Sequence, residues 1–105
     1  MNKVLIIGAS GLLGQSLVQY FVSNNFQVGA LSRYCDSNDD RFYNHAVDVL
    51  DYESLEFVVE QYDVIINCIG QITTPIHECV SLNTKGIKNI IDAVKKNGNY
   101  LIHLS

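Results

Sequence analysis

This 105-residue sequence has no basic stretch, no paired cysteines and no long apolar run, and each absence removes a class of function. Seven Lys and Arg stand against eleven Asp and Glu, for a formal net charge of −4, and Lys95-Lys96 is the only adjacent basic pair. A polyanion needs a basic face, so nucleic acid is not an expected partner. The three cysteines, Cys35, Cys68 and Cys79, are odd in number and lack Cys-x-x-Cys spacing. They are expected as reduced thiols in a cytoplasmic protein rather than as a disulfide framework or a zinc site. The N-terminal apolar run, Val4 to Ile7, is too short for a signal peptide or a membrane span.

What is present is a mixed composition, 48% hydrophobic and 17% charged, suited to one globular domain or a piece of one. Val4-Leu5-Ile6-Ile7, closed by Gly8, has the continuous apolar character of a strand buried on both faces of a parallel sheet. From Leu12 the period becomes helical, with Leu13, Leu17, Tyr20 and Phe21 spaced along one face and Asn24-Asn25 as the stop. Phe26 to Leu31 is a second strand. Residues 34–44 are polar and aperiodic, hence a loop, and a short third strand is expected over His45 to Val47.

Asp51 is placed to cap a helix carrying Leu55, Val58 and Val59, and Val64-Ile65-Ile66 is a fourth strand. A long helix is expected from about Pro75, with Ile76, Val80, Ile87, Ile90, Ile91 and Val94 as its stripe. Lys95 and Lys96 complement its C-terminal dipole, and Gly98 ends it before a fifth strand from Tyr100 to Leu104. Strands alternating with helices predict a Rossmann-type, doubly wound α/β sheet of order 3-2-1-4-5, with residues 1–105 as a partial dinucleotide-binding domain. The switch point falls between strands 1 and 4, beside the Gly8 and Gly70 loops.

Gly8-Ala9-Ser10-Gly11-Leu12-Leu13-Gly14 lies between that strand and that helix, the context a phosphate-binding loop requires. Gly8 serves the turn, Gly11 the approach of a pyrophosphate, and Gly14 the packing of helix on sheet; Ser10 lies within the loop. The amides of Leu12 and Leu13 are positioned to donate to phosphate at a helix N-terminus.

With glycines three apart at first, this loop resembles that of the extended and atypical short-chain dehydrogenases/reductases, the group that includes NAD-dependent epimerases and dehydratases. Three further stretches are similar. Asp48-Val49 resembles the pair that contacts adenine. Asn67-Cys68-Ile69-Gly70 resembles the segment beside the cofactor ribose. Asn83, Gly86 and Asn89 resemble the family's Asn-x-x-Gly-x-x-Asn helix. The resemblance implies hydride transfer through a nicotinamide, with a nucleotide sugar or similar polar carbonyl or hydroxyl compound as substrate of the complete protein. Flavin binding through the same loop has no supporting pocket signal.

NAD-preferring members place a carboxylate at the end of the second strand, whereas this chain reads Leu31-Ser32-Arg33-Tyr34 and offers none before Asp36. Arg33 is suited to fork onto a 2′-phosphate or to stack on adenine, and Ser32 to donate to the same phosphate. NADP is therefore expected ahead of NAD.

The resemblance also implies a Tyr-x-x-x-Lys pair, in which Lys and cofactor lower the Tyr pKa. Tyr20, Tyr34, Tyr43, Tyr52, Tyr62 and Tyr100 all lack Lys four residues on, and Ser105 matches only the start of the family's Ser-rich turn. Catalytic residues are thus not assignable. The expectation is a cofactor cradle from a longer enzyme; the alternative is a non-catalytic NAD(P)-binding regulatory or assembly protein. An uncovered fifth strand would invite self-association through its edge. His45, His77 and His103 form no spaced metal set, and no metal is expected.

Overall fold

The structure, a computed structural model, describes residues 2–33, 39–69 and 82–104, with the backbone alone for Leu82 and Asn83. β1 (Lys3–Ile7) is central because four consecutive apolar residues, three of them β-branched, favour extended backbone and leave no face for water. Leu5 and Ile7 join one core cluster and Val4 and Ile6 the other, on opposite faces of the sheet. α1 (Leu12–Ser23) returns the chain to β2 (Gln27–Ser32), and β3 (Tyr43–Ala46) pairs outside it. α2 (Tyr52–Val59) crosses to β4 (Val64–Asn67) on the other side of β1. A π-helical turn, Leu82–Gly86, runs into α3 (Ile87–Asn97), and β5 (Tyr100–His103) pairs with β4. All four pairings are parallel and the order is β3-β2-β1-β4-β5, as expected.

The punctuation follows local chemistry. Asn25 ends α1 with a φ of 66°, a left-handed conformation that Asn tolerates. Asp51 caps α2, accepting from the Ser54 amide at 3.4 Å and the Ser54 hydroxyl at 2.8 Å. Gly98 closes α3 at a φ of 70°, its amide on the Val94 carbonyl at 2.8 Å, with Lys95 and Lys96 in the last turn. The expected start of this helix near Pro75, with Ile76 and Val80, lies outside the described residues.

Three details differ from the sequence-based expectation. β3 begins at Tyr43 rather than His45, inside the stretch expected to be loop. As an edge strand with no fully buried residue it needs no apolar alternation, so its sequence carries no period. On α1, Leu13 and Tyr20 are exposed, and the buried line runs through Gly14 and Val18. Close contact of Gly14 with Gly8 and Ala9, in the loop after β1, turns that line inward and Leu13 outward. On α3, Ile91 lies at the rim while Ile90, Ala93 and Val94 are buried.

β2 passes over a buried tyrosine. Gly29 has no room for a Cβ, because the Tyr62 ring lies where one would stand, its Cε1 2.9 Å from that position. The Tyr62 hydroxyl is 2.8 Å from His45 Nε2 on β3. Burial, with Tyr43 nearby, pushes the Tyr62 phenol up to about 12, and burial lowers the His45 pKa. Gly29→Ala is expected to destabilise the fold by about 1–3 kcal/mol through overpacking, with part of the loss recovered when Tyr62→Phe is added. Asp51→Ala is expected to cost about 1 kcal/mol through the lost cap. Urea unfolding midpoints check both; an unchanged Gly29→Ala midpoint would refute this packing.

Candidate functional site

The C-terminal ends of β1, β2 and β4 converge on the loop that follows β1. Gly8 turns the chain at a φ of 79°, which a side chain would strain. Its amide donates to the Leu31 carbonyl of β2 at 2.9 Å, and the Ala9 amide reaches the same oxygen at 3.3 Å. On the other flank, a Cβ at Gly8 would stand 3.2 Å from the Cys68 carbonyl carbon and the Ile69 amide nitrogen. The loop is therefore wedged between the ends of β2 and β4, at the point where the strand order reverses.

Gly14 fixes the height of α1 on this loop. A Cβ there would lie 2.7 Å from the Ala9 Cα and closer still to the Gly8 carbonyl oxygen. Gln15 holds the loop from the helix side, donating from Nε2 to the Ser10 carbonyl at 2.8 Å. The Ncap residue is Gly11, and no side chain caps the helix. Leu12 and Leu13 are exposed, and their amides belong to the first turn, at the positive end of the helix dipole.

Beside the loop, on the α1 face of the sheet, lies a cavity of about 310 Å³. Ser10, Gln15, Ser32, Asp39 and Asn44 line it, joining the glycine loop to the ends of β2 and β3. Arg33 follows directly and is exposed. Asp39 is an addition to the residues read from sequence; it was hidden in an aperiodic polar stretch and enters the site only because β3 starts early. Arg41 forks onto its carboxylate, Nε to Oδ1 at 2.9 Å and Nη2 to Oδ2 at 2.6 Å. That hydrogen-bonded guanidinium holds the Asp39 carboxyl down at about 2. Arg41 Nη2 also donates to Gln19 of α1 at 3.0 Å.

On the opposite face, Asp48 Oδ1 accepts from the Leu50 amide at 3.0 Å and shapes the turn that leads to α2. Val49 is buried and clamped by α3 and the turn before it. Its Cγ2 is 2.9 Å from where a Gly86 Cβ would stand, and Asn89 Nδ2 donates to its carbonyl at 2.9 Å. Gly86 and Asn89 sit three apart, so they meet Val49 from one helical face. This explains two of the three motif positions on that helix. The side chain of Asn83, the third, lies outside the described residues, as do Gly70, Cys35, Cys79, His77, Asp36 and Ser105.

Asn67 ends β4 almost wholly buried, with Oδ1 accepting from the Ile69 amide at 3.0 Å and Nδ2 2.9 Å from His103 Nδ1. Cys68 and half-buried Ile69 thus stand in a fixed bend against Gly8. Burial pushes the Cys68 thiol pKa up, so it is not prepared as a nucleophile. Among the described residues, no three of His, Cys, Asp and Glu gather as a metal set, and no helix is long and apolar enough to cross a membrane.

Residues 4–105 match the NAD dependent epimerase/dehydratase family. The chain is 31% identical over 122 residues to the decarboxylating sterol-4-alpha-carboxylate 3-dehydrogenase of Saccharomyces cerevisiae, an alignment covering 100% of this chain and 34% of that enzyme. It is 30% identical over 110 residues to eugenol synthase 2 of Clarkia breweri, covering 93% and 32%. The chain thus spans about a quarter to a third of the curated relatives it matches. Its fold is shared with uronate dehydrogenase from Agrobacterium tumefaciens, with a TM-score of 0.88 at 19% identity over 100% of this chain and 41% of that one. The Bordetella bronchiseptica enzyme WbmG in complex with NAD gives 0.84 at 18%, over 96% and 36%. With that family match spanning nearly the whole sequence, and with the strand order and glycine turn already in place, the chain belongs to the NAD dependent epimerase/dehydratase family.

Proposed function

We propose that this chain is the nicotinamide-dinucleotide cradle of an oxidoreductase, epimerase or dehydratase. The observation that carries this reading is the α1 N-terminus, which has no side-chain cap and stands behind a glycine turn with no room for a Cβ at Gly14. Such an end is suited to bind an anion through the Leu12 and Leu13 amides, with Gly8, Ser10 and Gly11 letting a pyrophosphate approach the backbone. The buried Val49 and the adjacent carboxylate of Asp48 suit one face and one edge of adenine. Cys68, Ile69 and Gly70 would border the ribose on the nicotinamide side, with Asn83 nearby. Bound there, a nicotinamide supplies hydride transfer. The described residues hold and orient; acid/base catalysis is assigned to none of them. A polar carbonyl or hydroxyl compound is the substrate class proposed for the complete protein, and the same cradle would serve a non-catalytic dinucleotide-binding subunit.

Ser32 and Arg33 at the end of β2 favour NADP, through a charged fork onto the 2′-phosphate. NAD is the second reading. It is favoured by Asp39, whose carboxylate lines the same cavity as Ser10 and Ser32 and is suited to accept from ribose hydroxyls.

Calorimetric titration of the chain with NADP⁺ and with NAD⁺ tests this. NADP⁺ is expected to bind more tightly, and Arg33→Ala to weaken it by roughly tenfold or more while leaving NAD⁺ nearly unchanged. Tighter NAD⁺ binding that is lost in Asp39→Asn would transfer the choice to the second reading. A folded protein that binds neither dinucleotide would refute the cradle. Separately, Asn89→Ala is expected to cost about 1 kcal/mol in stability by releasing the Val49 carbonyl. If Val49 borders adenine, the same variant weakens dinucleotide binding several-fold in the same titration.

A further inference from the structure

The geometry points to a proton-sensitive buckle: Asn67 and His103 hold the Cys68–Ile69 bend only while the His103 ring is neutral, so that acid loosens the wall of the cradle opposite β2. The Ile69 backbone N–H can only donate, so the Asn67 atom facing it at 3.0 Å is the carbonyl oxygen Oδ1. The amide NH₂ is then the group 2.9 Å from His103 Nδ1, and it too can only donate. His103 Nδ1 must therefore accept, which selects the neutral ring with its proton on Nε2.

A protonated ring carries N–H on both nitrogens and would set two donors against each other. Turning the Asn67 amide over restores the bond to His103 but places NH₂ against the Ile69 N–H. Only one of the two bonds can survive. Asn67 is 1% exposed, so while the His103 ring stays packed on it, its amide has little access to water as a replacement partner. His103 is exposed, so its ring can take up a proton without opening the core.

The backbone leaves the pair nowhere to retreat. Asn67 is in register with His103, and its carbonyl accepts from the Leu104 amide at 2.9 Å. The Cys68 amide is held by the Ile7 carbonyl at 2.9 Å, and Ile69 Cγ1 stands 3.2 Å from where a Gly8 Cβ would be. The groups around the ring do not take over its proton chemistry. β4 contributes Asn67 and, one residue on, the Cys68 thiol on the opposite face. α3, which packs on β5, carries Lys88, Asp92, Lys95 and Lys96; Lys88 pairs with Asp92, and Lys96 pairs with Glu56 of α2. Among the described residues the ring forms no ion pair.

The consequence for ligand binding rests on the dinucleotide reading above; the buckle itself does not. The first measurement is therefore made without ligand: ¹⁵N NMR of the imidazole and of the Ile69 amide in the full chain, between about pH 5 and pH 8, the interval in which an imidazole changes charge. The expected result is a ring protonated on Nε2 at the upper end, and an Ile69 amide resonance that shifts on acidification with the same midpoint as the ring. A ring protonated on Nδ1, or an Ile69 amide that does not follow it, would overturn the buckle.

Titration with NADP⁺ and NAD⁺ over the same interval is then expected to weaken by about fivefold towards acid, the value of one hydrogen bond. His103→Gln should flatten this profile. Asn67→Asp, which offers acceptors to both partners, should reverse it; if that variant does not fold, the wild-type NMR result still decides. Dinucleotide binding that stays flat while Ile69 titrates would refute the link to the cradle. A coupled ring and amide with no dinucleotide binding at any pH would uphold the buckle and remove the dinucleotide reading instead.

Discussion

The close seating of α1 on the end of β1 is the constraint from which the rest of this molecule follows. Without a side chain at Gly14 the helix descends until its first turn touches the Gly8 carbonyl and Ala9. At that height the helix buries Gly14 and Val18. Gly8 in turn cannot move, because β2 holds its amide and the Cys68–Ile69 bend of β4 blocks its other side. A phosphate-sized anion would meet a backbone already in position. Such preorganisation reduces the ordering cost that binding otherwise carries.

A second regularity concerns the short polar side chains around the same edge. Asp48 turns the chain after β3, Asn89 holds the Val49 carbonyl, Asn67 holds the Ile69 amide, and Gln15 holds the Ser10 carbonyl. Each satisfies a backbone group in the turns that follow the strands. Two of these, Asp48 and Asn67, lie in stretches that resemble cofactor-contacting segments. Their visible work is to shape the walls: Asp48 Oδ1 holds the Leu50 amide and Asn67 Oδ1 the Ile69 amide.

Much of this was legible in the sequence, for identifiable reasons. β1, β4 and the capped α2 announce themselves because continuous apolar runs and an Asp three residues before a Ser have few other uses. The strand order followed from alternation, crossover handedness and the order usual in doubly wound sheets. What escaped was relational. β3 is polar at the edge, so its start was not written in hydrophobicity. The inward line of α1 depends on where a glycine meets another element, and a period computed over side chains cannot see a residue that has none. The Gly29–Tyr62 contact and the place of Asp39 are long-range facts of the same kind.

Asp39 also bears on how the charge of the cavity is understood. A lone carboxylate beside Ser10 and Ser32 would repel any anionic group that entered the cavity. This one is held ionised at about 2 by the guanidinium of Arg41, in two-point contact, and the pair together carries no net charge. At the distance of a neighbouring phosphate the two opposite charges largely cancel, and what remains of their field is further screened at an open surface. Arg33, exposed just beyond the end of β2, is a further cation on the same rim. A carboxylate so paired therefore adds little net field to the cavity. Opening the Arg41–Asp39 fork would unmask that charge, and Gln19 of α1 helps to keep the fork closed.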